Sequence, residues 1–200
     1  MAKTQTKAGG DIVGACLLFE KPGPANTKRT LEWAAKAAKE RSIENVLIAT
    51  ASGATAVDAL RYFDPSSIVA VTHSTGFTRQ NFQELKAGNR KALEAAGVRI
   101  LTCQHAFGGV GRAVRKKLGT YELEEIIAYS LRTFGQGTKV AVEIALMAAD
   151  AGLVPTGVPC LSIGGTETGA DTVLLLAPTT AQAFFDLRVL EVLAKPRALP

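Results

Sequence analysis

The chain is poor in the residues that mark special classes of protein. Aromatic side chains make up 6% of its 200 residues, with one tryptophan, and histidine occurs twice. So few aromatics give no stacking pattern for nucleic-acid bases, and no RNA- or DNA-binding motif accompanies them. The three cysteines, Cys16, Cys103 and Cys160, lie far apart with no C-x-x-C and no zinc-like spacing, so each reads as a reduced thiol. No apolar run is long enough to cross a bilayer, and the longest, Val140 to Ala149, is interrupted by Glu143. The first ten residues carry Lys3 and Lys7 but no apolar signal core. A cytoplasmic protein without membrane or nucleic-acid partner is expected. H-E-x-x-H, a Walker A loop and the G-x-S-x-G elbow are also missing, which speaks against a zincin, a P-loop nucleotidase and an α/β-hydrolase. No metal site is read.

What is present is ordinary for a globular domain: 47% hydrophobic and 20% charged residues. The net charge is +5, with much of the excess in Arg112, Arg115, Lys116 and Lys117. Phosphate on a small ligand, or simple solvation, accounts for that basic turn. Residues 1–10 are expected to be disordered and 11–200 to form a single domain.

Hydrophobic patterning predicts an alternation of strands and helices. Ile12 to Phe19 reads as a buried first strand, and Asn26 as the N-cap of a helix to about Arg41 with Leu31, Ala34, Ala35 and Ala38 on its apolar stripe. Asn45 to Thr50, Ile68 to Thr72 and Val98 to Thr102 are the next strands, with a helix over Thr55 to Phe63 between the first two. A helix stopped by Gly97 precedes the last of them. Then come a glycine cluster and a short basic helix near Arg112 to Leu118, a helix capped by Thr120, and an apolar helix from Lys139 to Ala151. Leu161 to Ile163 and Thr172 to Leu176 are late strands, followed by a short helix and an extended piece, Arg188 to Leu193. This predicts a single three-layer α/β/α domain with a mostly parallel, doubly wound sheet.

Three successive strands end in threonine, Thr50, Thr72 and Thr102, and polar turns follow each. In open parallel sheets such strand ends line the ligand crevice, so these turns are expected to converge. Ser52-Gly53 opening a helix suits a phosphate: glycine lets the backbone approach, and Ser52 and Thr55 supply hydroxyls. Gly108-Gly109-Val110-Gly111-Arg112 fails the dinucleotide fingerprint, because Val114 stands at its third glycine position. It reads either as a flexible loop bringing Arg112 over the crevice or as a tight turn with solvated charges. Gly164 to Asp171 reads either as a clasp on the ligand or as a long hairpin connection. His73 and His105 both fall in crevice loops and are the candidate acid/base residues. Glu143 is expected to pair with Lys139 one helical turn before it.

Thr50-Ala51-Ser52-Gly53-Ala54-Thr55-Ala56, with Arg61-Tyr62, Pro65 and Ile68 to Thr72, resembles the C-terminal α/β domain of pyruvate kinase. In that domain the matching turn binds a sugar-phosphate effector, often with a basic residue where this chain has Ala54. The chain leaves no room for the kinase's catalytic barrel, so it is not expected to phosphorylate ADP. Glu20 to Gly23, Val71-Thr72-His73, Val110-Gly111-Arg112, Met147 to Asp150 and Gly164-Gly165-Thr166 extend the resemblance to stand-alone pyruvate kinase α/β domain-like proteins of archaea and bacteria.

That resemblance implies flavin mononucleotide (FMN) in the crevice. Ser52, Gly53, Ala54 and Thr55 would hold the phosphate, and Thr72, His73, Thr75 and Gly76 would line the ring or ribityl side. Gly111, Arg112, Gly164, Gly165 and Thr166 would close over it, with Thr50 and His105 also in the site. Two other readings stay open: an enzyme acting on a phosphorylated metabolite through His73 or His105, and a sugar-phosphate-sensing regulatory module. A homo-oligomer is also left open.

Overall fold

Two short apolar runs with alternating faces set the architecture. In β2 (Val46–Ala49) and β3 (Ile68–Thr72), Val46, Ile48, Ile68 and Ala70 join one core while Leu47, Val69 and Val71 join another. Strands covered by helices on both faces require apolar side chains on both. The computed structural model describes residue 11 and residues 13–197; the segment 1–10 expected to be disordered lies outside the described residues, as does Ile12.

Five more strands complete the sheet: β1 (Leu17–Phe19), β4 (Arg99–Thr102), β5 (Cys160–Gly164), β6 (Thr172–Ala177) and β7 (Arg188–Pro196). Their order is β1-β7-β6-β5-β2-β3-β4. All neighbouring pairs are parallel except those of β6, which runs antiparallel to both β5 and β7. The loop between β5 and β6 is too short for a crossover, so the pair must form a hairpin.

Helices α1 (Thr27–Arg41), α2 (Ala54–Ala59) and α3 (Ala87–Ala95) bury Leu31, Ala34, Ala56, Ala59 and Leu93 against one face. On the other face lies α6 (Gln136–Asp150), with α5 (Leu123–Arg132) outside it and α4 (Gly109–Leu118) packed on α5. The expected three-layer α/β/α sandwich is therefore the observed one. Helix α6 is buried almost all round because sheet and α5 enclose it. Its first turn approaches the β5–β6 hairpin closely: a Cβ on Gly137 would lie 2.1 Å from Thr172 Oγ1, and one on Gly164 would lie 2.4 Å from the Gly137 carbonyl oxygen.

The local differences from expectation have physical causes. Strand β1 keeps only three residues, because it pairs β7 over Leu17 to Phe19 at the sheet edge, and Leu18 there is exposed. Asn26 does not cap α1 with its side chain, which donates instead to the Lys21 carbonyl oxygen at 2.7 Å. Thr120 caps nothing; α5 starts after Glu122. The glycines after His105 are not a loop: Gly109 and Gly111 lie inside the first turn of α4.

Candidate functional site

Chain order reverses between β2 and β5. The chain runs outward from β2 through β3 to β4, then returns to lay β5 on the other side of β2. At such a switch point the strand ends splay and leave a crevice. A crevice of about 840 Å³ opens there. Ala49, Thr50, Val71 and Thr72 contribute the strand ends, and α6 supplies Gln136, Val140, Glu143, Ile144 and Met147. The loop after β5 adds Gly165, Glu167, Thr168 and Gly169.

The turn from β2 to α2 forms one wall through Ala51, Ser52, Ala54 and Thr55. It is held rigidly from behind: the Ser52 carbonyl oxygen accepts from the Lys86 N–H at 3.2 Å and from Asn89 Nδ2 at 2.9 Å. Gly53 has φ +90°, and a Cβ there would meet Leu85 Cδ1 at 2.6 Å and Asn89 Cβ at 2.7 Å. Only glycine fits that conformation and that approach. Because α2 has six residues, its dipole is small, and hydroxyl groups carry the wall's polarity. Ser52 Oγ accepts only a long 3.4 Å bond from the Ala54 N–H. Thr50 donates its N–H to the Val71 carbonyl oxygen at 2.9 Å, yet its buried Oγ1 finds no partner among the described residues.

Also on the crevice lining, three rings pack together. His73 and His105 lie 5.3 Å apart between ring centroids, and Phe77 contacts both, at 4.2 and 4.8 Å. Arg112 of α4 lays its guanidinium 4.8 Å from the centre of the Phe77 ring and does not itself line the crevice. Glu84 Oε2 and His73 Nδ1 form a 2.9 Å hydrogen bond. That bond orients the ring and engages Nδ1, leaving Nε2 outside it.

Deeper in, Glu143 gathers three groups. Its Oε1 accepts from the Phe107 N–H at 3.0 Å, Oε2 pairs with Lys139, and His105 Nδ1 stands 3.8 Å from Oε2. The expected Lys139–Glu143 pair is present, and both members are buried. Burial pushes the His105 imidazole down to about 4; Glu143 opposes this, while His73, Lys139 and Arg112 reinforce it. His105 is thus neutral at pH 7, and its buried Nε2 has no protein partner. Burial likewise lowers Lys139 from its ordinary value, against the pull of Glu143.

Of the residues singled out from sequence, Thr50, Ser52, Ala54, Thr55, Thr72, His73, His105 and Gly165 line the crevice. Gly53 shapes the turn without lining it, and Thr75, Gly76, Gly111, Arg112, Gly164 and Thr166 lie off the wall. Thr102 is exposed and does not line the crevice; its Oγ1 and that of Thr72 form a 2.6 Å hydrogen bond. The β5–β6 loop is a hairpin connection, and it lines the crevice. Asp171 ties it down, accepting from the N–H groups of Gly23 and Thr166 and from Thr172 Oγ1. Pattern reading missed Phe77, Phe82, Glu84, Gln136 and Met147 as crevice residues. No helix among the described residues is long and apolar enough to cross a membrane, and none of them form a group of three or more metal-ligating His, Cys, Asp or Glu side chains.

A family model described as pyruvate kinase, alpha/beta domain, matches residues 28–176. Among solved structures, the NH3-dependent NAD synthetase from Campylobacter jejuni subsp. jejuni NCTC 11168 in complex with the nitrate ion is similar over 55% of this chain, at 10% identity and a TM-score of 0.34. The match covers 47% of that chain, so this protein spans about half the synthetase's length, and a likeness so slight bears on neither ligand nor reaction.

Proposed function

Because this chain belongs to the pyruvate kinase α/β domain family, its strand-end crevice is the place to seek a ligand, and we propose that it binds a phosphorylated small molecule with a planar ring, specifically FMN. The observation that carries this reading is Thr50 Oγ1, a buried hydroxyl on the crevice wall with no partner among the described residues. A buried polar group without a hydrogen bond costs about 1–3 kcal/mol, so such a group on a cavity wall points to an occupant. The volume, about 840 Å³, lies within the range of roughly 300–1,000 Å³ usual for cofactor pockets.

The lining also fits the two ends of such a ligand. Thr50, Ser52 and Thr55 offer hydroxyls on one wall for a phosphate, while Val71, Phe77, Val140, Ile144 and Met147 offer apolar surface for a ring. When bound, FMN supplies hydride and electron transfer, and the chain's own part is to bind it, orient it and exclude water.

The test is FMN affinity in Thr50→Val and Ser52→Asp. Neither side chain makes a strong bond within the protein, so both variants should melt like the wild type. Thr50→Val should bind FMN about tenfold more weakly, the worth of one hydrogen bond. Ser52→Asp should abolish binding through repulsion of the phosphate. Wild-type affinity in both would remove this wall from the site.

A further inference from the structure

The α4–α5 segment carries apolar surface that the fold does not use. Helix α5 turns Ala128, Ile127 and Leu131 toward the core. Yet Leu123, Ile126 and Tyr129 recur at i, i+3 and i+6 on its outer face and are 67%, 53% and 53% exposed. Leu118, ending α4, is 70% exposed, and Tyr121 in the connection is 51% exposed with its ring edge-on to Tyr129 at 5.7 Å. Five large apolar side chains between residues 118 and 129 therefore face solvent, four of them joined by helical spacing and the Tyr121–Tyr129 contact. Single exposed apolar residues are ordinary, but a contiguous cluster marks an interaction surface.

Charges at the two ends of α4, which borders the patch, say what covers it. Lys116 and Lys117 are exposed in the last turn of α4. Glu122 and Glu124 lie beside Gly111 in its first turn, within 3.2 and 3.3 Å of where a Cβ on Gly111 would stand. Among the described residues none of these four makes an ion pair within the chain. The positive and negative ends are separated by five residues of helix, about 7.5 Å. A two-fold interface brings the same surface of both copies together in opposite directions, so a surface with opposite charges at the two ends of α4 is complementary to itself. An anionic membrane would meet the glutamates as well as the lysines, which makes it the poorer match.

We propose that this protein forms a two-fold dimer through the α4–α5 patch, with Lys116 and Lys117 of each copy facing Glu122 and Glu124 of the other. The inference is independent of what occupies the crevice. Helix α4 also carries Arg112, whose guanidinium rests on Phe77 at the crevice, so interface and crevice share an element.

Light scattering on the eluting protein across a concentration series tests it. The wild type should have twice the chain mass of 21.0 kDa. Ile126→Glu, at an exposed position, should keep the wild-type circular dichroism spectrum and run as a monomer. Lys116→Glu/Lys117→Glu and Glu122→Lys/Glu124→Lys should each weaken the dimer alone, and mixing the two should restore it as a heterodimer. A wild type that stays monomeric to high concentration, or a dimer untouched by Ile126→Glu, would overturn the proposal. A monomer that co-sediments with phosphatidylserine vesicles would overturn it in favour of a membrane surface.

Discussion

Glu143 survives inside an apolar helix because both of its oxygens are engaged, one by the Phe107 N–H and the other by Lys139. Removing one member of a buried pair leaves the other charge uncompensated, which costs about 3–5 kcal/mol, whereas replacing both by apolar groups is often near neutral. Lys139→Met should therefore destabilise strongly, and Lys139→Met with Glu143→Leu should lose far less than the sum of the single changes. Urea unfolding of the four proteins measures the coupling. The neighbouring His105 makes stability depend on pH. Its folded-state value lies below the ordinary 6.5, at about 4. Above pH 6.5 the imidazole is neutral in both states and its contribution is fully present. As pH falls from 6.5 through 4, the unfolded chain takes the proton more readily and stability is lost, on the order of 3 kcal/mol over the window. The melting temperature of His105→Gln should decline less than that of the wild type between pH 6.5 and 4; parallel curves would contradict the neutral imidazole.

At the scale of elements, close contact between α6 and the β5–β6 hairpin positions the crevice floor. A methyl group at Gly164 would press on the Gly137 carbonyl oxygen at 2.4 Å and on the Ala141 nitrogen at 3.1 Å, both backbone atoms that cannot swing away. Gly164→Ala should thus cost at least the roughly 1–3 kcal/mol of overpacking. It should also weaken FMN binding, because α6 supplies Val140, Ile144 and Met147 to the wall. Unchanged stability on thermal melting would rule out this packing. Strand β3 was legible to the residue, since Ile68 to Thr72 is a short β-branched run with a 3-10 turn before it and a polar turn after it. Helix α6 was legible from its length and apolarity. The ends of β1, α2 and α5 were not, because each depends on a tertiary partner: β7 for β1, packing beneath Leu60 to Phe63 for α2, and the α4 contact for α5.

For the whole molecule, sheet order decides which residues meet. The convergence of Thr50, Thr72 and the Ser52 turn could be read locally, because each follows its own strand end. Glu84 could not, since it lies in an irregular stretch eleven residues beyond His73 and reaches it only through the fold of that stretch. Gln136 and Met147 reach the crevice only because β5 returns to the far side of β2, and no periodicity along the chain encodes that return. The same placement gathers the hydroxyls of Thr50, Ser52 and Thr55 and several apolar and aromatic side chains on one crevice, which is the basis for a ligand with a phosphate at one end and a ring at the other. The most direct measurement is a fluorescence titration of FMN and of riboflavin, which shares the ring but lacks the phosphate, against the wild-type protein. The account predicts saturable quenching with FMN and binding at least about tenfold weaker with riboflavin, a difference of about 1.4 kcal/mol. Equal affinity for the two, or no saturation with either, would contradict it.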